Sequence, residues 1–204
     1  MQTSSAIVDH ENLRILRKLM AVKSGLHVEI NKSYSPNTQM FMWGTREKKK
    51  IVFLNGTSSS GKTTIAKEIL KSIDASYLSI DDFTHVQNGE GQEFKEHFPE
   101  IINNFHKTIK NTANNNVNVI IDHVLEKPEW YESCKEALKD LNVIWVSVIA
   151  PIDVLEKREL ARKDRNIGFA RLQYDRVYKD YIADIVIDTS KVSPEEAATM
   201  ILNN

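Results

Sequence analysis

The stretch Ile51-Val52-Phe53-Leu54-Asn55-Gly56-Thr57-Ser58-Ser59-Ser60-Gly61-Lys62-Thr63-Thr64 decides how this chain is read. An apolar run meets Gly-x-x-x-x-Gly-Lys-Thr, and a helix-compatible segment from Ile65 to Ile73 follows directly. A glycine-rich turn between a buried strand and a helix N-terminus is the pattern of a phosphate-binding loop. Gly56 and Gly61 are expected to adopt positive φ and to let the backbone come close to a ligand. The amides of Thr57, Ser58, Ser59, Ser60 and Gly61 then form an anion nest at the positive end of the helix. Lys62 is placed to reach the β- and γ-phosphates, and the Thr63 hydroxyl to ligate Mg²⁺, with Thr64 beside them among the nucleotide-binding residues. ATP and Mg²⁺ are the expected ligands.

Outward from this stretch, the chain alternates strand and helix. Ser76–Ile80 reads as a second strand, ending at Asp81-Asp82-Phe83. A helix of about residues 93–111 follows, with Phe98, Ile101, Ile102 and Phe105 on its apolar side. Val117–Asp122 is the third strand, residues 128–140 a helix and Val143–Ala150 the fourth strand. Ile152–Arg165 reads as a charged helix, Ala170–Tyr181 as another, and Ile185–Asp188 as the fifth strand. Ser193-Pro194-Glu195-Glu196 opens a last helix with a capping serine, a first-turn proline and acids at the positive end. Such alternation predicts an α/β P-loop NTPase fold, a five-stranded parallel sheet covered by helices on both faces.

Residues 1–50 read as an extension to a 51–204 domain. Leu13, Leu16, Leu19 and Met20 recur at helical spacing among Arg14, Arg17, Lys18 and Lys23, as in a basic amphipathic helix laid on a core. The chain of 204 residues holds 27 basic and 28 acidic residues, a balance that offers no overall attraction to nucleic acid. Cys134 is the single cysteine, so no intramolecular disulfide forms. No apolar run reaches the length of a membrane span. The expectation is a soluble cytoplasmic protein.

In sheets of this kind ligands bind beyond the carboxyl ends of the strands. Strand one releases the phosphate loop there, strand two Asp81 and Asp82, strand three Asp122 and His123, and strand five Asp188-Thr189-Ser190. Asp122 follows an apolar run, the usual presentation of a carboxylate that holds Mg²⁺ or orients Lys62. Either Asp81 or Asp82 can take a proton from a substrate hydroxyl, or cap a helix. His123 either touches substrate or caps the turn after strand three. Arg158, Arg162 and Arg165 fall at i, i+4 and i+7, one face of a helix, where they clamp phosphate or are merely solvated.

These residues resemble the chloramphenicol phosphotransferase-like family. The likeness rests on the loop Leu54–Thr63, on Ile80-Asp81 and on Ile120-Ile121-Asp122. Most distinctive are Arg158-Glu159-x-x-Arg162-x-Asp164-Arg165-x-x-Gly168 and Asp184-x-Val186-x-Asp188-Thr189. The resemblance implies ATP-dependent transfer of phosphate to an alcohol of a small molecule. It puts Asp81, rather than Asp82, at the position of the catalytic base and near the metal. Arg158, Arg162 and Arg165 become phosphate contacts, with Arg162 and Thr189 also on the nucleotide. The chain departs from the family at His123, where a second acid stands, and between Phe83 and Phe98. Chloramphenicol is thus one candidate acceptor. A nucleotide sugar, a nucleoside and a protein side chain are others, and a non-catalytic nucleotide-binding regulator is a further reading.

Overall fold

The computed structural model describes residues 49–86, 92–162 and 167–204. The amphipathic reading of the N-terminal segment falls outside them, as do residues 87–91 and Arg165. The described residues belong to a compact unit running from Glu47 to Asn204.

At its centre lies β1 (Ile51–Asn55), buried along its whole length. It pairs in parallel with β3 (Asn118–His123) on one side and β4 (Val143–Ile149) on the other. Outside these, β2 (Ala75–Ser79) lies parallel to β3 and β5 (Ile185–Asp188) parallel to β4. The strand order β2-β3-β1-β4-β5 gives the expected five-stranded parallel sheet. Between and after the strands come α1 (Lys62–Ser72), α2 (Ile80–Val86), α3 (Gln92–Asn114), α4 (Pro128–Leu138), α5 (Ile152–Ala161), α6 (Phe169–Val177) and α7 (Pro194–Leu202).

Strand periodicity divides the core into two layers. Phe53, Val119 and Ile121 face α3 and α4, packing with Ile102, Phe105, Ile109, Cys134 and Leu138. Their neighbours Val52, Leu54 and Ile120 face α1 and α7, packing with Ile65, Ile69, Ala197 and Ile201. The final helix starts as its residues dictate. Glu196 donates its amide to the Ser193 side chain while its carboxylate accepts the Ser193 amide. Such a reciprocal cap contributes about 1 kcal/mol.

Two boundaries differ from the sequence reading in ways that matter. The second strand stops at Ser79, and Ile80 already begins α2, so Asp81 and Asp82 occupy a helical first turn where the dipole favours acids. The charged helix α5 stops at Ala161, and Arg162 caps it with an extended backbone, φ −91 and ψ 131. Arg158 and Arg162 are therefore not stacked on a continuing helix.

His123 caps the turn after β3, accepting the Val124 amide on Nδ1 at 2.7 Å. That leaves its proton on Nε2, which meets His106 Nε2 at 3.1 Å. The His106 proton must then sit on Nδ1, directed at Ser133 Oγ 3.2 Å away. Both rings are buried. Burial lowers the His106 pKa to about 4. Burial, then the neighbouring His106 and Lys62, push His123 well below the ordinary histidine range. Both stay neutral in the fold, whereas the unfolded chain takes up protons near pH 6.5. A depressed folded pKa means stability is fully present above about pH 6.5 and is lost as pH falls toward 4. The melting temperature is expected to drop through that window, and His106→Gln to flatten the drop. Melting curves at half-unit pH steps check this; an unchanged profile in the variant would assign the acid sensitivity to other groups.

Candidate active site

The carboxyl ends of the strands bring Asp81, Asp122 and Thr189 to one rim, whereas Asp82, His123, Asp188 and Ser190 do not line the cleft there. Asp122 lies level with Leu54 at the end of β1 and with Ser79 at the end of β2. Beyond them opens a cleft of about 520 Å³. Ser59, Gly61, Lys62, Thr63 and Thr64 line it together with Asp81, Asp122, Arg158, Arg162 and Thr189. The Arg165 expectation falls outside the described residues.

The loop's two glycines are required for different reasons. Gly61, the N-cap of α1, has φ 102, the left-handed conformation expected of it. Gly56 does not have a positive φ, contrary to the sequence reading. Its constraint is contact: a Cβ there would lie 2.3 Å from the Val148 carbonyl oxygen of β4. Ser59 takes the left-handed conformation instead, at φ 61.

Lys62 curls back under its own loop. Its ammonium donates to the carbonyls of Gly56 (2.9 Å) and Thr57 (3.0 Å) and lies 3.8 Å from Asp122 Oδ1. Asp122 is buried and accepts from the Thr63 hydroxyl at 2.7 Å and from the Tyr77 hydroxyl at 3.0 Å. Burial, with the adjacent Asp122 charge, raises the Tyr77 pKa, so this phenol stays a proton donor. The hydroxyls of Ser59 and Ser60 are buried and make no hydrogen bond within the protein. Buried polar groups without partners cost stability; Ser59 lines the cleft, whereas the Ser60 hydroxyl lies toward Gly56. An unspent hydroxyl, an ammonium and a helix N-terminus fit a phosphate chain. The oxygen donors Thr63, Asp122 and Asp81 fit a hard divalent cation such as Mg²⁺.

Arg158 reaches across to the turn after β5. It donates to Thr189 Oγ1 and to the Thr189 carbonyl, both at 2.8 Å, and to the Ser59 carbonyl at 3.5 Å. The Thr189 hydroxyl in turn donates to the Ser60 carbonyl at 2.8 Å. Arg162 is exposed at the cleft edge. Glu159, between them, is 1 % exposed and accepts the amides of Gly168 (2.7 Å) and Ala170 (3.0 Å) at the N-terminus of α6. Those two bonds tie the start of α6 to α5. Gly168, at φ 100, makes the turn into α6.

Sequence reasoning missed Tyr77, Gln173 and Tyr178, and named Glu159 only as part of the family motif. Gln173 Oε1 accepts the Ser58 amide at 2.7 Å, and Tyr178 Oη accepts the Thr57 amide at 3.2 Å. One signal was present: Gln173 interrupts the inward stripe of α6 set by Ala170 and Val177.

The family described as chloramphenicol phosphotransferase-like protein matches residues 49–204. The chain belongs to this family. No curated protein matches it. Among solved structures, a sugar kinase from Janibacter sp. HTCC2649 is 20% identical. The match covers 76% of this chain and 93% of the other, with a TM-score of 0.60. The APS kinase CysC of Mycobacterium tuberculosis, in complex with AMPPNP and APS, is 18% identical, over 76% and 96%, with a TM-score of 0.60. Shikimate kinase from Acinetobacter baumannii, in complex with shikimate, is 16% identical, over 78% and 94%, with a TM-score of 0.54. This chloramphenicol phosphotransferase-like chain thus has the fold of P-loop kinases. None of its described helices is long and apolar enough to cross a membrane.

The two arginines of this chloramphenicol phosphotransferase-like cleft should respond differently to truncation. Arg158→Ala removes hydrogen bonds that hold the β5 turn to the loop, each contributing about 1 kcal/mol. It is expected to lower both the melting temperature and nucleotide affinity. Arg162→Ala, at an exposed position, should leave the melting temperature within about a degree, since such surface residues contribute little to stability. Calorimetry with an ATP analogue, alongside melting curves, separates the two.

Proposed function

We propose that this chain is an ATP-dependent O-phosphotransferase that moves the γ-phosphoryl group to a hydroxyl of a small molecule. The observation that carries the reading is the shared cleft of Asp81, Lys62, Thr63 and Asp122, with Arg158 and Arg162 beside it. A nucleotide-binding loop alone needs no carboxylate base, whereas transfer to an alcohol does.

In this reading the loop amides, the Ser59 hydroxyl and Lys62 bind the phosphate chain, with Thr64 and Thr189 at its sides. Thr63 and Asp122, with Asp81 nearby, would hold Mg²⁺. That ion supplies charge neutralisation on the phosphates when bound. Asp81 accepts the proton of the attacking hydroxyl. Lys62, Arg158 and Arg162 meet the negative charge that spreads over the transferring group, and guanidiniums suit it because they present planar paired donors. Arg165 joins them by its place in the family motif. Tyr77 keeps Asp122 aimed at Thr63 rather than at the acceptor. The structural relatives are kinases of a sugar, of APS and of shikimate, and the family name adds chloramphenicol, so a hydroxyl-bearing small molecule is the shared acceptor class.

ADP release with chloramphenicol and a panel of sugars and other polyols tests the activity. Acceptor-dependent ADP formation supports it, and acceptor-independent hydrolysis alone counts against it. Asp81→Asn should keep ATP affinity and lower kcat by about 10²–10⁴. Asp82→Asn, exposed one residue further along α2, should do much less. The reverse ranking would make Asp82 the base.

A further inference from the structure

The phosphate loop is held from behind by two side chains outside the cleft. The peptide joining Gly56 to Thr57 gives its carbonyl to Lys62 Nζ at 2.9 Å and its amide to Tyr178 Oη at 3.2 Å. The peptide joining Thr57 to Ser58 gives its carbonyl to Lys62 Nζ at 3.0 Å and its amide to Gln173 Oε1 at 2.7 Å. Each peptide plane is thus pinned on one edge by the lysine and on the other by a residue of α6 or its C-cap. The proton of Tyr178 goes to the Val148 carbonyl at 2.9 Å, which leaves its oxygen free to accept.

Gln173 is itself oriented. Its Nε2 donates to Glu126 Oε1 at 2.8 Å, and Arg176 Nη2 lies 3.2 Å from Glu126 Oε2. A carboxylate can only accept, so it forces the NH₂ of the carboxamide toward itself and the oxygen toward the loop. Gln173 is 7% exposed and occupies an inward position where an apolar residue would pack without a polar cost.

We propose that Gln173 is a positioning residue for Lys62, acting through the Thr57–Ser58 peptide and oriented by Glu126. Free rotation of that peptide would withdraw one of the two carbonyls that place the ammonium. Gln173 prevents it. Because α6 is tied at its start to Glu159 of α5, the helix that carries Arg158, the lysine and this arginine share one frame. The kinetic part of this inference rests on the phosphotransfer reading; the placement of Lys62 does not.

The test uses the full chain and four variants: Gln173→Met, Gln173→Glu, Glu126→Gln and the double variant Glu126→Gln/Gln173→Glu. Methionine keeps the packing and removes the acceptor. Glutamate keeps an acceptor for Ser58 but sets two carboxylates against each other at pH 8. In the double variant the amide of the new glutamine donates to the new carboxylate, so the oxygen facing Ser58 is restored. Two readouts are taken: acylation of Lys62 by acetic anhydride, quantified by peptide mass spectrometry, and kcat for phosphotransfer. Gln173→Met and Gln173→Glu are expected to raise Lys62 acylation several-fold and to lower kcat roughly tenfold or more, the scale of a misplaced catalytic group. The double variant should return both toward wild type, with Glu126→Gln alone between. Unchanged acylation in a folded Gln173→Met, or a double variant no better than Gln173→Glu, overturns the proposal. If Gln173→Met does not fold, the comparison of Gln173→Glu with the double variant decides alone. Should the wild type transfer phosphate to no acceptor, the phosphotransfer reading fails while acylation still decides the role of Gln173.

Discussion

The whole rim is built around one buried ammonium. Lys62 is 6% exposed, and a positive charge taken out of water must be met by oxygen. The protein meets it with two carbonyls of its own loop and with Asp122 nearby. Those carbonyls are available only if the loop curls tightly, and the curl needs Gly56 against β4 and a left-handed Gly61. Asp122 is available only because β3 lies beside β1 in a register that sets it level with Leu54. Sheet order, loop shape and carboxylate placement are thus conditions on the same charge.

The lid side follows a related logic with the sign reversed. Glu159 is a buried carboxylate whose partners are backbone amides at a helix start, where the dipole favours an anion. By spending Glu159 on α6, the fold leaves Arg158 to brace Thr189 and Ser59. One arginine is therefore partly structural while Arg162, past the helix end, is exposed at the cleft edge. Two residues with one spacing and one chemistry acquire different surroundings from a four-residue difference in position.

The fold was legible because its signals are local. The apolar run of β1, the glycine-rich loop and the capped α7 each announce themselves within a few residues, and parallel pairing follows from alternation. The rim was legible for the same reason, since Asp81, Asp122 and Thr189 each leave the end of a recognisable strand. What stayed hidden depends on distant partners. Gly56 is constrained by a carbonyl of β4, and the loop's amides by Gln173 and Tyr178 more than a hundred residues away. The arginine row misled because regular spacing was extended past Ala161, where α5 ends and Arg162 turns extended. Helical periodicity contains no information on where a helix stops.

The central position of β1 has a consequence for how the chain acquires its shape. Its hydrogen-bonded neighbours begin at Val119 and Val143, so β1, first of the described strands, has no strand partner until more than sixty further residues have followed it. Pairings of such long separation form slowly, because loop closure costs entropy before any contact offsets it. The loop that follows β1 waits longer still. Its braces include Tyr178 from the end of α6 and the Thr189 hydroxyl on the Ser60 carbonyl, in a chain of 204 residues. On a ribosome, the phosphate cradle emerges well before Tyr178 and Thr189, and its bracing is completed only after both.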